Sequence, residues 1–128
     1  EARPDWRIEG PRDRHSGFAS AATFLAIPQR PTAIVCFSDL VALGLMYGLA
    51  RGGIRPGVDV AVVGYDDIEE AEIATPPLTT VSNGQGEVGE RAASALLQRL
   101  QGTEAVEQTT LIQPELRIRQ SCGVKPPH

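Results

Sequence analysis

AVVGYDDIEEAEIATPPLTTV, residues 61–81, is the stretch whose reading decides the fold. It opens on an uncharged apolar run of strand length, turns at Gly64-Tyr65 into two adjacent aspartates, and reaches a second short run, LTTV (78–81), through a double proline. An unbroken Val-rich run, with no apolar/polar alternation, marks a strand covered by other layers, as in a parallel sheet. Working outward, DVAVVGY (59–65) has a counterpart in TAIVCF (32–37), which the same rule reads as buried on both faces. Between them SDLVALGLMYGLARGG (38–53) is a helix that Ser38 or Asp39 can cap and Gly52-Gly53 can end. Upstream, HSGFASAATFLA (15–26) is helical, with Phe18, Ala21, Ala22 and Leu25 at helical spacing, and DWRIE (5–9) reads as a short strand. Downstream, GEVGERAASALLQRLQG (86–102) is an amphipathic helix, and TTLIQPELRIRQS (109–121) is extended, restricted to a sheet edge by Pro114. Strands alternating with helices at this spacing give an α/β domain with a parallel sheet and right-handed crossovers.

Composition narrows the function. The chain has 128 residues, 41% apolar and 22% charged, enough for one domain with a real core. Its net charge is −4, and its Lys and Arg residues are scattered, so it has no basic stripe with which to neutralise nucleic-acid phosphates by itself. Cys36 and Cys122 lack metal-ligand spacing and read as a reduced pair. The apolar run LVALGLMYGLA (40–50) is too short to cross a bilayer, which takes about 20 residues. No secretory signal is visible at the N-terminus, which starts abruptly, as a segment cut from a longer protein would.

Polar groups gather at one rim. In an open parallel sheet ligands bind beyond the carboxyl ends of the strands, where Ser38 and Asp39 follow one strand and Asp66 and Asp67 the next. A carboxylate there can accept hydrogen bonds from sugar hydroxyls or ring N–H groups. The plainer reading makes Asp39 a helix cap and Asp67 a turn residue, and for Asp66 turn and ligand roles both stand. A metal site built from Asp66, Asp67, Glu69 and Glu70 lacks the alternation of a calcium loop, and none is expected. His15 and His128 are the only histidines, no nucleophile with a base is visible, and GQGEVG (84–89) does not follow a first Rossmann strand. Binding is therefore expected, not catalysis, with no cofactor. The helix over 39–51 is apolar nearly all round, which fits either a fully buried helix or a subunit interface.

These same residues carry a resemblance. PTAIVCFSDLVALGLMYGLARGGIRPGVDVAVVGYDDIEEAEIATPPLTTV (31–81), with GEVGERAASALLQRLQG and PELRIRQS, closely resembles the C-terminal part of the lac-repressor (LacI/GalR) family of bacterial transcription regulators. GPRDRHSGF (10–18) is similar to the family's segment at the start of its S-G-F/Y helix. The resemblance implies a periplasmic-binding-protein-like (type I) fold with helices on both faces of the sheet. It divides the chain into an effector-binding C-terminal subdomain (1–82), a crossover helix belonging to the N-terminal subdomain (83–108), a returning strand (109–122) and a tail (123–128). The DNA-binding headpiece and most of the N-terminal subdomain are absent.

By position, the resemblance makes Asp66 the effector-binding carboxylate. Ser38 falls where many members have an asparagine, and Arg12 where they place an aromatic that stacks on the ligand, while Trp6 is a packing residue. Leu43, Met46, Tyr47 and Ile73 fall at the homodimer interface. The implied function is a cytoplasmic, dimeric regulator, not an enzyme. It binds a sugar or another small polar metabolite, reaches operator DNA only through the absent headpiece, and has no membrane partner. A periplasmic sugar-binding protein of a transporter shares the fold and is the alternative. An enzyme using Asp66 and Asp67 as acid and base is a third reading.

Overall fold

The computed structural model describes residues 6–102 and 109–124. Four strands form one sheet in chain order: β1 (Ala33–Val35), β2 (Ala61–Tyr65), β3 (Thr79–Ser82) and β4 (Glu115–Arg117). The first three are parallel, with Val35 opposite Val63 and Val63 opposite Thr79, and β4 runs antiparallel against β3. Helices α1 (Arg14–Ala26), α2 (Asp39–Arg51) and α3 (Glu69–Ile73) precede or connect the parallel strands. Helix α4 (Gln85–Leu100) lies between β3 and β4, and a 3₁₀ turn (Gln120–Cys122) ends the described chain.

Local chemistry sets the boundaries. Asp13 caps α1 by accepting from the Ser16 N–H at 2.7 Å, while Ser16 Oγ accepts from the Asp13 N–H at 3.4 Å. Of the two candidate caps for α2, the structure uses Ser38, whose hydroxyl accepts from the Val41 N–H. Asp39 sits inside the first turn, where the helix dipole favours a carboxylate, and is fully buried. Before β2, Asp59 accepts from the backbone and side chain of Arg55, which closes the turn and holds its carboxyl down to about 2.

The core lies between α2 and the sheet, with α1 packed across α2. Leu43, Leu49, Val62 and Leu78 are at most 1% exposed. Helices α1 and α2 approach so closely that a methyl group at Gly44 would run into the Arg14 carbonyl, and one at Gly48 into the Phe18 carbonyl and Ala21. This contact shifts the register of α1 from the expected one: Gly17, Ala21 and Phe24 face inward, whereas Phe18 and Ala22 are exposed. A backbone-to-backbone crossing needs small residues, so its centre is not where the large apolar side chains are.

Other expectations also change. DWRIE forms no strand among its described residues: Trp6 is in a 3₁₀ turn and residues 7–10 are irregular, with Arg7 paired to Glu9 in solvent. No described strand borders the free edge of β1 to receive them. β1 itself is not buried on both faces, since Ile34 turns toward the helices and Val35 is 81% exposed. Among the described residues α2 packs against β2 and α1 against α2, while the 3₁₀ turn lies against β2 and β3. Helix α2 resolves toward the buried reading. Leu43 and Met46, offered above as interface residues, are 1% and 3% exposed and belong to the core, because their side of α2 is the one that meets α1 and the sheet. Tyr47 and Ile73 remain at the surface, 53% and 74% exposed.

Candidate functional site

Three consecutive strand ends build one rim. After β2 the chain turns through Asp66 and Asp67 with φ of 114° and 57°, the only described residues other than glycine with positive φ. That conformation costs about 1–3 kcal/mol per residue and persists where surrounding contacts enforce it. Here the Asp66 N–H donates to the Val81 carbonyl at 2.9 Å. Its carboxylate accepts from Asn83 Nδ2, just past the end of β3, at 3.2 Å. Asn83 Oδ1 is buried and accepts no hydrogen bond among the described residues.

Beneath the rim lies a second carboxylate, which does not face solvent. Asp39 Oδ1 accepts from the Thr80 hydroxyl at 2.5 Å, and Oδ2 from the Ile68 N–H at 3.0 Å. Gly64 makes room for it, because a Cβ there would collide with Oδ1. Burial pushes the Asp39 carboxyl above the usual carboxylate range, the Asp66 charge adds to that rise, and the bonds from Thr80 and Ile68 oppose it. Next to it, burial and the Asp39 charge push the Cys36 thiol up to about 12, so Cys36 stays a neutral core thiol. Cys36 and Cys122 are both free.

The structure brings the three expected site residues to the β1 and β2 ends of this rim, though not with equal freedom. Asp66 is half-buried with one side-chain partner. Ser38 is 8% exposed and its oxygen already accepts from Val41, which leaves a ligand the hydroxyl proton and one lone pair. Arg12 is exposed and stacks its guanidinium 5.1 Å from the centroid of the Phe37 ring. Two further residues join the rim that sequence reasoning did not single out. Phe37, 51% exposed beside Ser38, supplies the aromatic surface, and Asn83 orients the Asp66 carboxylate. Asp67 turns away toward Arg119 and so is unavailable as the second member of an acid–base pair. Among the described residues no cluster of His, Cys, Asp or Glu is placed to hold a metal ion.

The profile of the periplasmic binding protein-like domain matches residues 2–122, nearly the whole chain. This chain belongs to the periplasmic binding protein-like domain family. Within that family it is similar to the transcriptional repressor PurR of Vibrio campbellii, 39% identical across 90% of this chain and 34% of the relative. It is also similar to the ribose operon repressor of Haemophilus influenzae, 34% identical across 92% of this chain and 36% of the relative. Among solved structures it superposes on the lac repressor dimer bound to operator and the anti-inducer ONPF, with a TM-score of 0.79, 36% identity, and coverage of 89% of this chain and 34% of that one. A LacI-family regulatory protein from Chloroflexus aggregans gives a TM-score of 0.85 at 29% identity, over 94% of this chain and 44% of that one. The periplasmic binding protein-like chain described here thus spans about a third of the length of these curated relatives.

Proposed function

We propose that this chain is the effector-sensing and dimerising C-terminal part of a LacI-type transcriptional repressor, whose affinity for operator DNA is set by a sugar or another small polar metabolite. The observation that carries the reading is the Asp66 carboxylate, held in an unfavourable backbone conformation at a strand end and oriented by Asn83. The relatives named above are repressors, which leaves the transporter alternative without support of its own. No catalytic step is assigned to the aspartates. DNA contact belongs to a helix-turn-helix in the parent protein, and such a regulator works in the bacterial cytoplasm. No helix among the described residues is long and apolar enough to cross a membrane.

The division at residue 83 belongs to the same proposal. Helix α4 buries none of its residues, and an apolar groove of about 600 Å³ separates it from residues 110–112. We assign that groove to the N-terminal subdomain of the parent. Residues 103–108 of the crossover and 125–128 of the tail lie outside the described residues. A full-length structure with α4 facing solvent would remove this assignment.

The effector reading is tested on the full-length parent by thermal shift and calorimetric titration with D-ribose, ribose 5-phosphate, D-galactose and hypoxanthine. Asp66→Ala is expected to weaken the compound that binds by about a hundredfold, the loss of two charge-assisted hydrogen bonds. Unchanged affinity would leave Asp66 as a turn residue and place the site elsewhere.

Dimerisation is proposed to use the surface of α2 and α3 left apolar after folding, centred on Tyr47 and Ile73, with Leu40 about two helical turns before Tyr47 at 41% exposure. A Tyr47→Arg, Ile73→Glu double variant of the parent is expected to sediment as a monomer at micromolar concentration where wild type is dimeric. A variant that stays dimeric would move the interface off this surface.

A further inference from the structure

We propose that Asp67 and Arg119 form a positioning pair that fixes the loop carrying Asp66, and that the two adjacent aspartates therefore have separate tasks. The inference rests on the reading that Asp66 receives the effector. With φ positive at both residues, the loop sends the two side chains to different places. Asp66 reaches Asn83 at 3.2 Å, while Asp67 Oδ1 accepts from Arg119 Nη2 at 2.8 Å and its Oδ2 lies 3.7 Å from Arg117 Nε.

Arg119 is built to hold its partner. Its Nη1 donates to the Leu78 carbonyl at 2.9 Å, so the planar fork is engaged at both tips. Its backbone is clamped to β3: the Arg119 N–H donates to Thr79 Oγ1, and that hydroxyl donates to the Arg119 carbonyl, each at 2.8 Å. Two residues on, the fully buried Ser121 accepts from the Thr79 N–H and donates to the Val62 carbonyl, which bridges β2 and β3 where Arg119 begins its reach. The side chains of Asp67 and Arg119 are each 18% exposed, so water screens the pair far less than it screens an open surface ion pair. On the other side of the loop, Asp39 accepts from the Ile68 N–H. Residues 66, 67 and 68 are thus each fixed to a different element, and these contacts hold the strained geometry of Asp66.

The placement of the partners has a consequence for regulation. Asn83 lies on the segment leaving for α4, and Arg119 follows the strand that returns from it. A ligand that takes Asp66 away from Asn83 therefore acts on the exit segment while Arg119 holds the return fixed.

The test needs no effector, so it is separable from the binding experiment on Asp66. Amide hydrogen exchange and the side-chain amide resonances of Asn83 are measured by NMR on this chain as wild type, Asp67→Asn and Arg119→Lys. In Asp67→Asn the Asp66 and Ile68 amides are expected to lose protection by about tenfold or more, while the Cys36 amide, bonded to the Val63 carbonyl in the core, changes by less than about twofold. The Asn83 side-chain amide is expected to move toward its free position as Asp66 leaves it. Arg119→Lys, which keeps the charge and loses the fork, is expected to fall between wild type and Asp67→Asn. Loop amides and Asn83 signals unchanged from wild type would overturn the proposal. A parallel loss of protection at Cys36 would also overturn it, since the pair would then be a general fold contact.

Discussion

Gly44→Leu is expected to destabilise the chain by about 3 kcal/mol or more, a large part of the roughly 5–15 kcal/mol that holds a domain of this kind together. At this point α2 meets the backbone of α1, and the Arg14 carbonyl occupies the space that any side chain would need. A flexible neighbour can swing aside, but a helix carbonyl moves only with its helix, which is itself locked by Phe24 and Ala21 in the core. Gly44→Ala is expected to cost less, because alanine gains about 1 kcal/mol of helix propensity that partly offsets the clash. Ala50→Leu, at an exposed position of the same helix, serves as the control and should stay within about 0.5 kcal/mol. Urea unfolding checks all three. A wild-type midpoint for Gly44→Leu would mean that the two helices are not in backbone contact.

That crossing also shows where sequence reading stops. β2, α2 and α4 were legible because each is a long run with a clear period or an unbroken apolar character. The register of α1 was not, since its inner face is defined by Gly17 and Ala21, residues whose value lies in their lack of bulk. TAIVCF was legible as a strand but not as an edge: an apolar run reports that something covers it, not which face, and Val35 is open within this chain. The described part of the expected strand, residues 6–9, is not extended into a sheet for the converse reason, since Arg7 and Glu9 satisfy each other in solvent with no described strand beside them to pair with.

The rim was half legible. A carboxylate following a buried parallel strand is visible from topology alone, and the resemblance singled out Asp66 from its neighbour. What Asp67 does was hidden, because its partner Arg119 is 52 residues away and is set in place only by the antiparallel return of β4. Asn83 was equally hidden, 17 residues from Asp66 on the next strand end. Asp39 was misread in an instructive way: its position in the first turn of a helix fits a cap, yet Ser38 one residue earlier already does that work. The sign available in the sequence was Gly64, a glycine inside a strand, which marks a close approach by another group.

Asp39→Ala is expected to cost about 2–5 kcal/mol, because it leaves two buried donors, the Thr80 hydroxyl and the Ile68 N–H, without an acceptor. Asp39→Asn is milder, since its oxygen can accept from Ile68 while its amide donates to the Thr80 oxygen. The two variants should also differ from wild type in pH dependence. Burial raises the folded pKa of Asp39 above the roughly 3.9 of an unfolded aspartate, so between those values the folded chain binds the proton more tightly. Stability from this group is then fully present below about 3.9 and is lost as pH rises through the folded value. Asp39→Asn does not titrate there, so its deficit relative to wild type should be largest in acid and shrink toward neutral pH. Denaturant unfolding at a series of pH values gives that difference directly. A deficit that grows with pH would mean that the hydrogen bonds from Thr80 and Ile68 outweigh burial, and that Asp39 anchors the effector loop as a stabilised anion.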